Sequence, residues 1–362
     1  MTRPVRVLQV VRPAQGGIRS HVLTLLDGID PAVISCAVAA PSEFAREALQ
    51  HPLVTATIPL DIAPRLSPAR DLVAARRLAR IVTQFADVVH AHGVRAAWIC
   101  ALAHRLQPFP LIFTAHNLVT ADFAGRLGIS FVGTQVQKAI AVSPSVAESL
   151  IACGLARTKI QVIPNGVDLA HFAPVTPATR RESRLSLGIP ESEFVVAAAA
   201  RLSPEKGIDT LLGAAGQRKA MTFLIAGEGP EYANLQRLCP QNVRLLGRAS
   251  DVRPLLAAAN VFAVPSRREG QGIAALEAMA SGVPLIASRV GGLADMLTDG
   301  ETALLVPPGD PDALAAALSR LESDPRLRRQ LAENAKLLVN KTYSLQPMLD
   351  ALTAVYLEAS PG

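Results

Sequence analysis

Aromatic side chains are scarce, 4% of the residues, and no RNA-binding aromatic motif occurs among them. Proteins that hold single-stranded nucleic acid stack bases on such side chains, so nucleic acid is not an expected partner despite a formal charge of +6. Long apolar runs are missing too. Stretches such as 194–200 fall far short of the roughly 20 residues that cross a bilayer. The basic start leads into a short apolar run at 7–11, interrupted by Gln9, and not into the apolar core and small-residue cleavage site of an export signal. The four cysteines, Cys36, Cys100, Cys153 and Cys239, are scattered with no CxxC pair, so neither a disulfide framework nor a zinc site is read from them. A cytoplasmic location is the expectation.

Half of the 362 residues are hydrophobic and only 18% are charged, which supports large buried cores and excludes a disordered chain. That length exceeds what one core usually serves, so two domains are expected. The charge is uneven: residues 1–165 carry 16 Lys/Arg against 9 Asp/Glu, and the remainder 20 against 21. A basic half can draw in an anionic lipid surface or a phosphorylated substrate. Within it, 71–85 reads as a helix with Arg76, Arg77 and Arg80 opposite Leu72, Ala75, Leu78 and Val82. Peripheral membrane contact stands there as the alternative to a solvated helix covering a sheet.

Short Val/Ile/Ala runs alternate with helical-period segments, the pattern of parallel sheets covered on both faces. Strands are expected at 5–11, 33–39, 54–59, 87–91, 111–115, 138–142 and 160–163, then at 194–200, 222–226, 243–246, 261–264, 285–287 and 304–306. Between the two sets, Asn165, Gly166, Pro174 and Pro177 break the alternation and mark a linker. The domains are therefore set at 1–165 and 178–342, with an amphipathic helix in 343–362 that needs an apolar surface to dock on.

In open parallel sheets, ligands sit beyond the carboxyl ends of strands, so the loops there are the places to inspect. Gly16 and Gly17 follow the first strand and open a helix, where bare amides suit a phosphate; a plain tight turn reads as well. Arg201 and Lys206 flank a turn after the strand at 194–200. Together they suit a diphosphate, a planar fork beside a point charge, unless Glu205 merely pairs locally with one of them. In 265–282, Gly270, Gln271 and Gly272 precede a helix, and Glu277 is placed two turns beyond Glu269 near one side of it. Carboxylates there suit sugar hydroxyls, since each accepts several hydrogen bonds. Arg267 and Arg268 read as a solvated pair. His90 and His92, two apart at a strand end, could face one way as metal ligands do, but no third ligand stands at a zinc spacing, so no metal is assigned. His21 reads as structural.

Taken in order, several motifs resemble the GT-B glycosyltransferases, specifically the large retaining group called family 4. They are Gly16-Gly17 with His21, His90-Ala-His92-Gly93, Thr114-Ala-His116-Asn117, Ala141-Val-Ser143, Ile163-Pro-Asn165-Gly166-Val167-Asp168, Arg201 with Lys206-Gly207, Gly227-Glu-Gly229-Pro230, and Glu269 with Glu277. The resemblance covers nearly the whole chain. It implies two Rossmann-like doubly wound domains facing an interdomain cleft, with acceptor bound by the first, nucleotide sugar by the second, and the last helix crossing back to the first. It further implies that Arg201 and Lys206 hold the donor diphosphate, that Glu277 receives the ribose hydroxyls, and that Glu269 holds donor-sugar hydroxyls near the amides of Gly270, Gln271 and Gly272. By the same resemblance Gly17 offers an amide to phosphate and His116 lies near the reacting sugar. No cofactor or metal is implied; the donor is a UDP-sugar, with GDP-sugar second, and the acceptor a hydroxyl of a glycan, lipid-linked or small molecule. Gln271, where an apolar residue is commoner, and Ala200, where glycine is frequent, depart from the pattern. A sugar-nucleotide epimerase of similar fold and an inactive sugar-nucleotide-binding subunit are the other readings. A hydrolase using Glu269 and Glu277 leaves Arg201 and Lys206 unexplained.

Overall fold

The computed structural model describes residues 3–13, 16–63 and 65–361. They form two compact units: residues up to Asn165 together with those from Gln346 onward, and Gly166–Leu345.

The first unit holds a seven-stranded parallel sheet. Its elements are β1 (Val5–Val11), α1 (Gly17–Gly28), β2 (Ile34–Ala40), α2 (Ser42–Ala48), β3 (Val54–Pro59), α3 (Pro68–Phe85), β4 (Val88–His92), α4 (Val94–Leu106), β5 (Leu111–Ala115), α5 (Phe123–Gln135), β6 (Lys138–Ala141), α6 (Pro144–Ala152) and β7 (Ile160–Val162). The strand order is β3-β2-β1-β4-β5-β6-β7, so the winding reverses between β1 and β4. Register puts Gln9 beside His90, Val11 beside His92, and His92 beside Thr114. Strand residues alternate in direction. Leu8, Val10, Val89 and Ala91 therefore feed one apolar core under α3 and α4, while Gln9, His90 and His92 point to the other face.

The second unit runs α7 (Pro177–Ser186), β8 (Phe194–Ala199), α8 (Ile208–Gln217), β9 (Met221–Ala226), α9 (Tyr232–Leu238), β10 (Val243–Gly247), α10 (Arg253–Ala258), β11 (Val261–Val264), α11 (Ile273–Ala280), β12 (Leu285–Ser288), α12 (Gly291–Met296), β13 (Leu304–Val306), α13 (Pro311–Ser323) and α14 (Pro325–Thr342). Its six parallel strands lie in the order β10-β9-β8-β11-β12-β13, reversing between β8 and β11. Val195 and Ala197 face one core, Val196 and Ala198 the other. Such near-continuous Val/Ala runs are what a strand buried on both faces requires. The fold is the expected α/β one, two doubly wound parallel sheets.

The last helix, α15 (Leu345–Ala359), lies almost wholly in the first unit. Its Met348, Leu349, Leu352, Val355 and Tyr356 are buried, and Gly28 gives Leu349 room: a Cβ there would collide with the leucine methyl.

One sequence expectation fails in α3. Leu72 does not share the buried stripe; it lies exposed with Val73, Arg76, Arg77 and Arg80, while Asp71 is buried and paired with Arg95. A buried carboxylate is tolerated with a guanidinium in contact, which apolar periodicity alone does not disclose.

Candidate functional site: the strand ends where each sheet reverses

In the second unit, the loops after β8 and β11 meet. Arg201 follows β8 exposed, and a short 3-10 turn over Pro204–Lys206 ends at Gly207, whose φ of +62° and contact with the Pro265 carbonyl leave no space for a Cβ. The Glu205 carbonyl accepts from the amides of Arg267 (2.7 Å) and Arg268 (3.2 Å), fastening one loop to the other. Lys206 is thereby aimed at Glu269: its Nζ lies 2.8 and 2.7 Å from the two carboxylate oxygens, and Ser266 Oγ donates to Oε2 at 2.9 Å. Glu269 is only 7% exposed, so this is a sheltered ion pair with a bound hydroxyl.

Several expectations need correcting here. Lys206 pairs with Glu269 rather than with Glu205, whose carboxyl is held below its ordinary value by a Ser203 hydrogen bond first and by Arg201 and Arg268 nearby. Glu269 and Glu277 do not share a helix: α11 begins at Ile273, and Glu269 sits on the loop before it. Gly272 at φ +92° turns the chain sharply before the helix, a stop that a count of residues along one helix overlooks. Arg267 is no free solvated cation, since its fork meets Asp209 at 2.6 Å through both nitrogens.

Gln271 is buried, and Gly270 is overlain by Gly292, where a Cβ would strike the Gly270 carbonyl. Gly292 also donates its amide to the Glu269 carbonyl at 3.1 Å, so α12 clamps the loop. Glu277, partly buried on α11, has its carboxyl pushed up to about 8 by burial and, secondarily, by the negative charge of Asp251. Asp251 itself is bound to Arg253 at 2.8 Å. That acid was missed from sequence, because it belongs to a loop of ordinary polar composition.

In the first unit the corresponding strand ends carry histidines. Gly16, φ +72°, caps α1, and Gly17 opens it; Ala14 and Gln15, between β1 and this cap, lie outside the described residues. His21 on α1, His90 and His92 on β4 and His116 just past β5 are all buried. Burial lowers all four: His21 to about 4, His90 to about 3, and His92 and His116 well below their ordinary value, the last with Arg12 adding to the effect. The four rings are neutral at physiological pH. Hydrogen bonds fix the tautomers of His90 and His92. Gln9 Nε2 donates to Tyr356 Oη at 3.3 Å, which turns the phenol proton toward His90 Nδ1 (2.7 Å); His90 Nε2 then donates to Thr114 Oγ1 (2.7 Å). Likewise His92 Nε2 donates to Gln9 Oε1 at 2.7 Å, leaving His92 Nδ1 to accept from His116 Nε2 at 3.3 Å.

The sequence reading paired His90 with His92; the structure sorts them differently. His90 is consumed by Tyr356 and Thr114, while His92 joins His116 and His21. The signal available was topological: β1, β4 and β5 are neighbours, so residues at their carboxyl ends or on the helix just after must converge.

Two doubly wound parallel sheets, each reversing at a strand end that gathers polar residues, are the GT-B architecture. Residues 179–338 match the family "Glycosyl transferases group 1", and residues 15–171 match "Glycosyltransferase Family 4". The chain is similar to a GDP-mannose-dependent monoacylated alpha-(1-6)-phosphatidylinositol monomannoside mannosyltransferase of Corynebacterium glutamicum, at 33% identity over 65% of this chain and 66% of that one. It is also similar to a D-inositol 3-phosphate glycosyltransferase of Mycobacterium avium, at 33% identity over 75% of this chain and 70% of the relative. Among solved structures, Anabaena Alr3699/HepE in complex with UDP and glucose superposes with a TM-score of 0.86 at 21% identity, covering 97% of this chain and 99% of that one. Sucrose-phosphate synthase of Thermosynechococcus elongatus does so at 0.81 and 22%, covering 97% and 98%. The chain belongs to glycosyltransferase family 4.

Proposed function

We propose that the chain is a retaining hexosyltransferase that takes its sugar from a nucleotide-diphosphate donor, a UDP-sugar first and a GDP-sugar second, and passes it to a hydroxyl of a glycan, lipid-linked or small-molecule acceptor. The observation that carries this reading is the Lys206–Glu269–Ser266 cluster, an ammonium and a carboxylate held together at the sheet reversal of the second unit. In this reading the donor diphosphate takes the charge of Lys206 and Arg201, Glu269 accepts from the sugar hydroxyls, and Glu277 receives the ribose hydroxyls. The amides of Gly270, Gln271 and Gly272 stand close by. The GDP-mannose dependence of one relative and the UDP bound in one fold neighbour support keeping both bases.

The acceptor oxygen bonds to the anomeric carbon on the face from which the nucleotide departs; the carbon–phosphate oxygen bond breaks, and the acceptor proton leaves with the phosphate. Charge developing on that phosphate is met by the cations Lys206 and Arg201, so the step is assigned no metal. Neutral His116, on the first unit, hydrogen-bonds near the reacting sugar without adding charge, and the amide of Gly17 faces phosphate. No described helix is long and apolar enough to cross a membrane, and contact with an anionic bilayer through Arg76, Arg77 and Arg80 of α3 stays the alternative to a solvated helix covering the sheet.

The test is product NMR after incubation with UDP- and GDP-hexoses and a panel of hydroxyl acceptors. An α-linked product from an α-linked donor is expected. An inverted linkage contradicts retention, donor epimerised without acceptor makes the protein an epimerase, and nucleotide binding without any product makes it a binding subunit.

A further inference from the structure

We infer that His21, His92 and His116 form a site for one imidazole-preferring divalent cation of the Zn2+ type. Three observations carry it. One nitrogen from each ring lies within 4.8 Å of the others, all three residues being buried. His92 Nδ1 and His116 Nε2 are 3.3 Å apart, and two nitrogens bound at ~2.0–2.1 Å to a tetrahedral ion are separated by about 3.3 Å. His21 is 5% exposed, and its buried Nε2 makes no short hydrogen bond, the Asn165 side chain being the polar group that acts on the ring; a nitrogen so placed is costly to leave without a close partner.

The surroundings support the same reading. Metal-bound histidines usually donate their other ring N–H to an oxygen that fixes the tautomer. His92 does so, to Gln9 Oε1 at 2.7 Å, and Gln9 is itself oriented by Tyr356. His90, whose nitrogens both have partners, takes no part. Three protein ligands leave a fourth position open, as in zinc sites that keep a water or anion. The cation's consequence for transfer rests on the role proposed for His116: a bound ion occupies Nε2 and inhibits.

The probe is Co2+, added in chloride buffer to the untagged full chain after chelator treatment. Strong visible absorption of tetrahedral Co2+ is expected at one ion per chain, discharged by Zn2+. His21→Ala should weaken Co2+ binding at least about 10-fold, and His171→Ala, on the second unit, should leave it unchanged. Faint absorption of octahedral Co2+, or the same affinity in His21→Ala, overturns the site. On the wild type, where folding of a variant is not in question, imidazole nitrogen NMR with Zn2+ should shift three rings and spare His90; no shift, or a shift at His90, overturns it. Metal binding without loss of transfer leaves the site standing and removes His116 from the reacting sugar.

Discussion

The two sheet reversals are built alike and furnished in opposite ways. The first unit has the charge excess, 16 Lys/Arg against 11 Asp/Glu, yet its strand ends gather four uncharged histidines, a glutamine, a threonine and a tyrosine. The second is nearly balanced, 20 against 19, yet its strand ends bring Arg201, Lys206, Glu269 and Glu277 to one pair of loops and the helix after them. Net charge therefore says little about where charged chemistry resides. In the first unit the surplus sits on outer helices such as α3; in the second one ion pair, Lys206 with Glu269, is sheltered where charges act most strongly, while Arg201 stands exposed beside it.

The comparison breaks most visibly if the cations of the second unit are dispensable. Arg201→Ala and Lys206→Ala should each lower turnover roughly 100- to 1,000-fold, the scale lost with one oxyanion donor, while folded structure persists in circular dichroism. Near-normal turnover in both variants removes the assignment. Lys206→Ala also leaves Glu269 sheltered without its counter-ion, and denaturant titration should show a loss of about 1–3 kcal/mol.

Tyr356→Phe sharpens the account of the first unit. It leaves His90 Nδ1 buried without its 2.7 Å partner, so a loss of about 1–2 kcal/mol is expected in chemical denaturation. An unchanged midpoint would mean that the hydrogen-bond chain from His92 to Thr114 does not hold that face together.

A subtler contrast lies in pH. The Glu277 carboxyl titrates at about 8 when folded, above its ordinary value of 4.5. The folded state thus binds the extra proton between those values, and its contribution to stability is complete below about 4.5 and lost as pH rises through about 8. Wild type should lose stability across that window relative to Glu277→Gln, by at most about 1.4 kcal/mol per pH unit. Parallel profiles would show that Glu277 is not buried as described. Smallest of all is the surface effect: if α3 meets membrane, sedimentation with anionic liposomes should occur at low salt and vanish at high salt. No sedimentation at low salt removes that contact.

Much of the fold was legible because a strand buried on both faces must be almost wholly apolar. Runs such as Phe194–Ala199 and Val261–Val264 announce themselves within a residue or so of their ends. What stayed hidden depends on tertiary pairing. The approach of Lys206 to Glu269 spans 63 residues, and the convergence of His21, His92 and His116 follows from strand order and not from spacing. The break between Glu269 and α11 turns on the positive φ of Gly272, one residue among several glycines. Leu72 shows the opposite failure: a periodic apolar residue left exposed because Asp71 and Arg95 fill the buried position.

The central claim, a nucleotide-sugar donor held by the second unit, is tested most directly by thermal unfolding of wild type and Glu277→Ala with UDP, GDP, ADP and their sugar conjugates. A ligand at 100 times its dissociation constant adds about 2.7 kcal/mol, so one nucleotide series should stabilise wild type clearly and the variant less. Stabilisation by none of them, or by the same amount in both proteins, would contradict the claim.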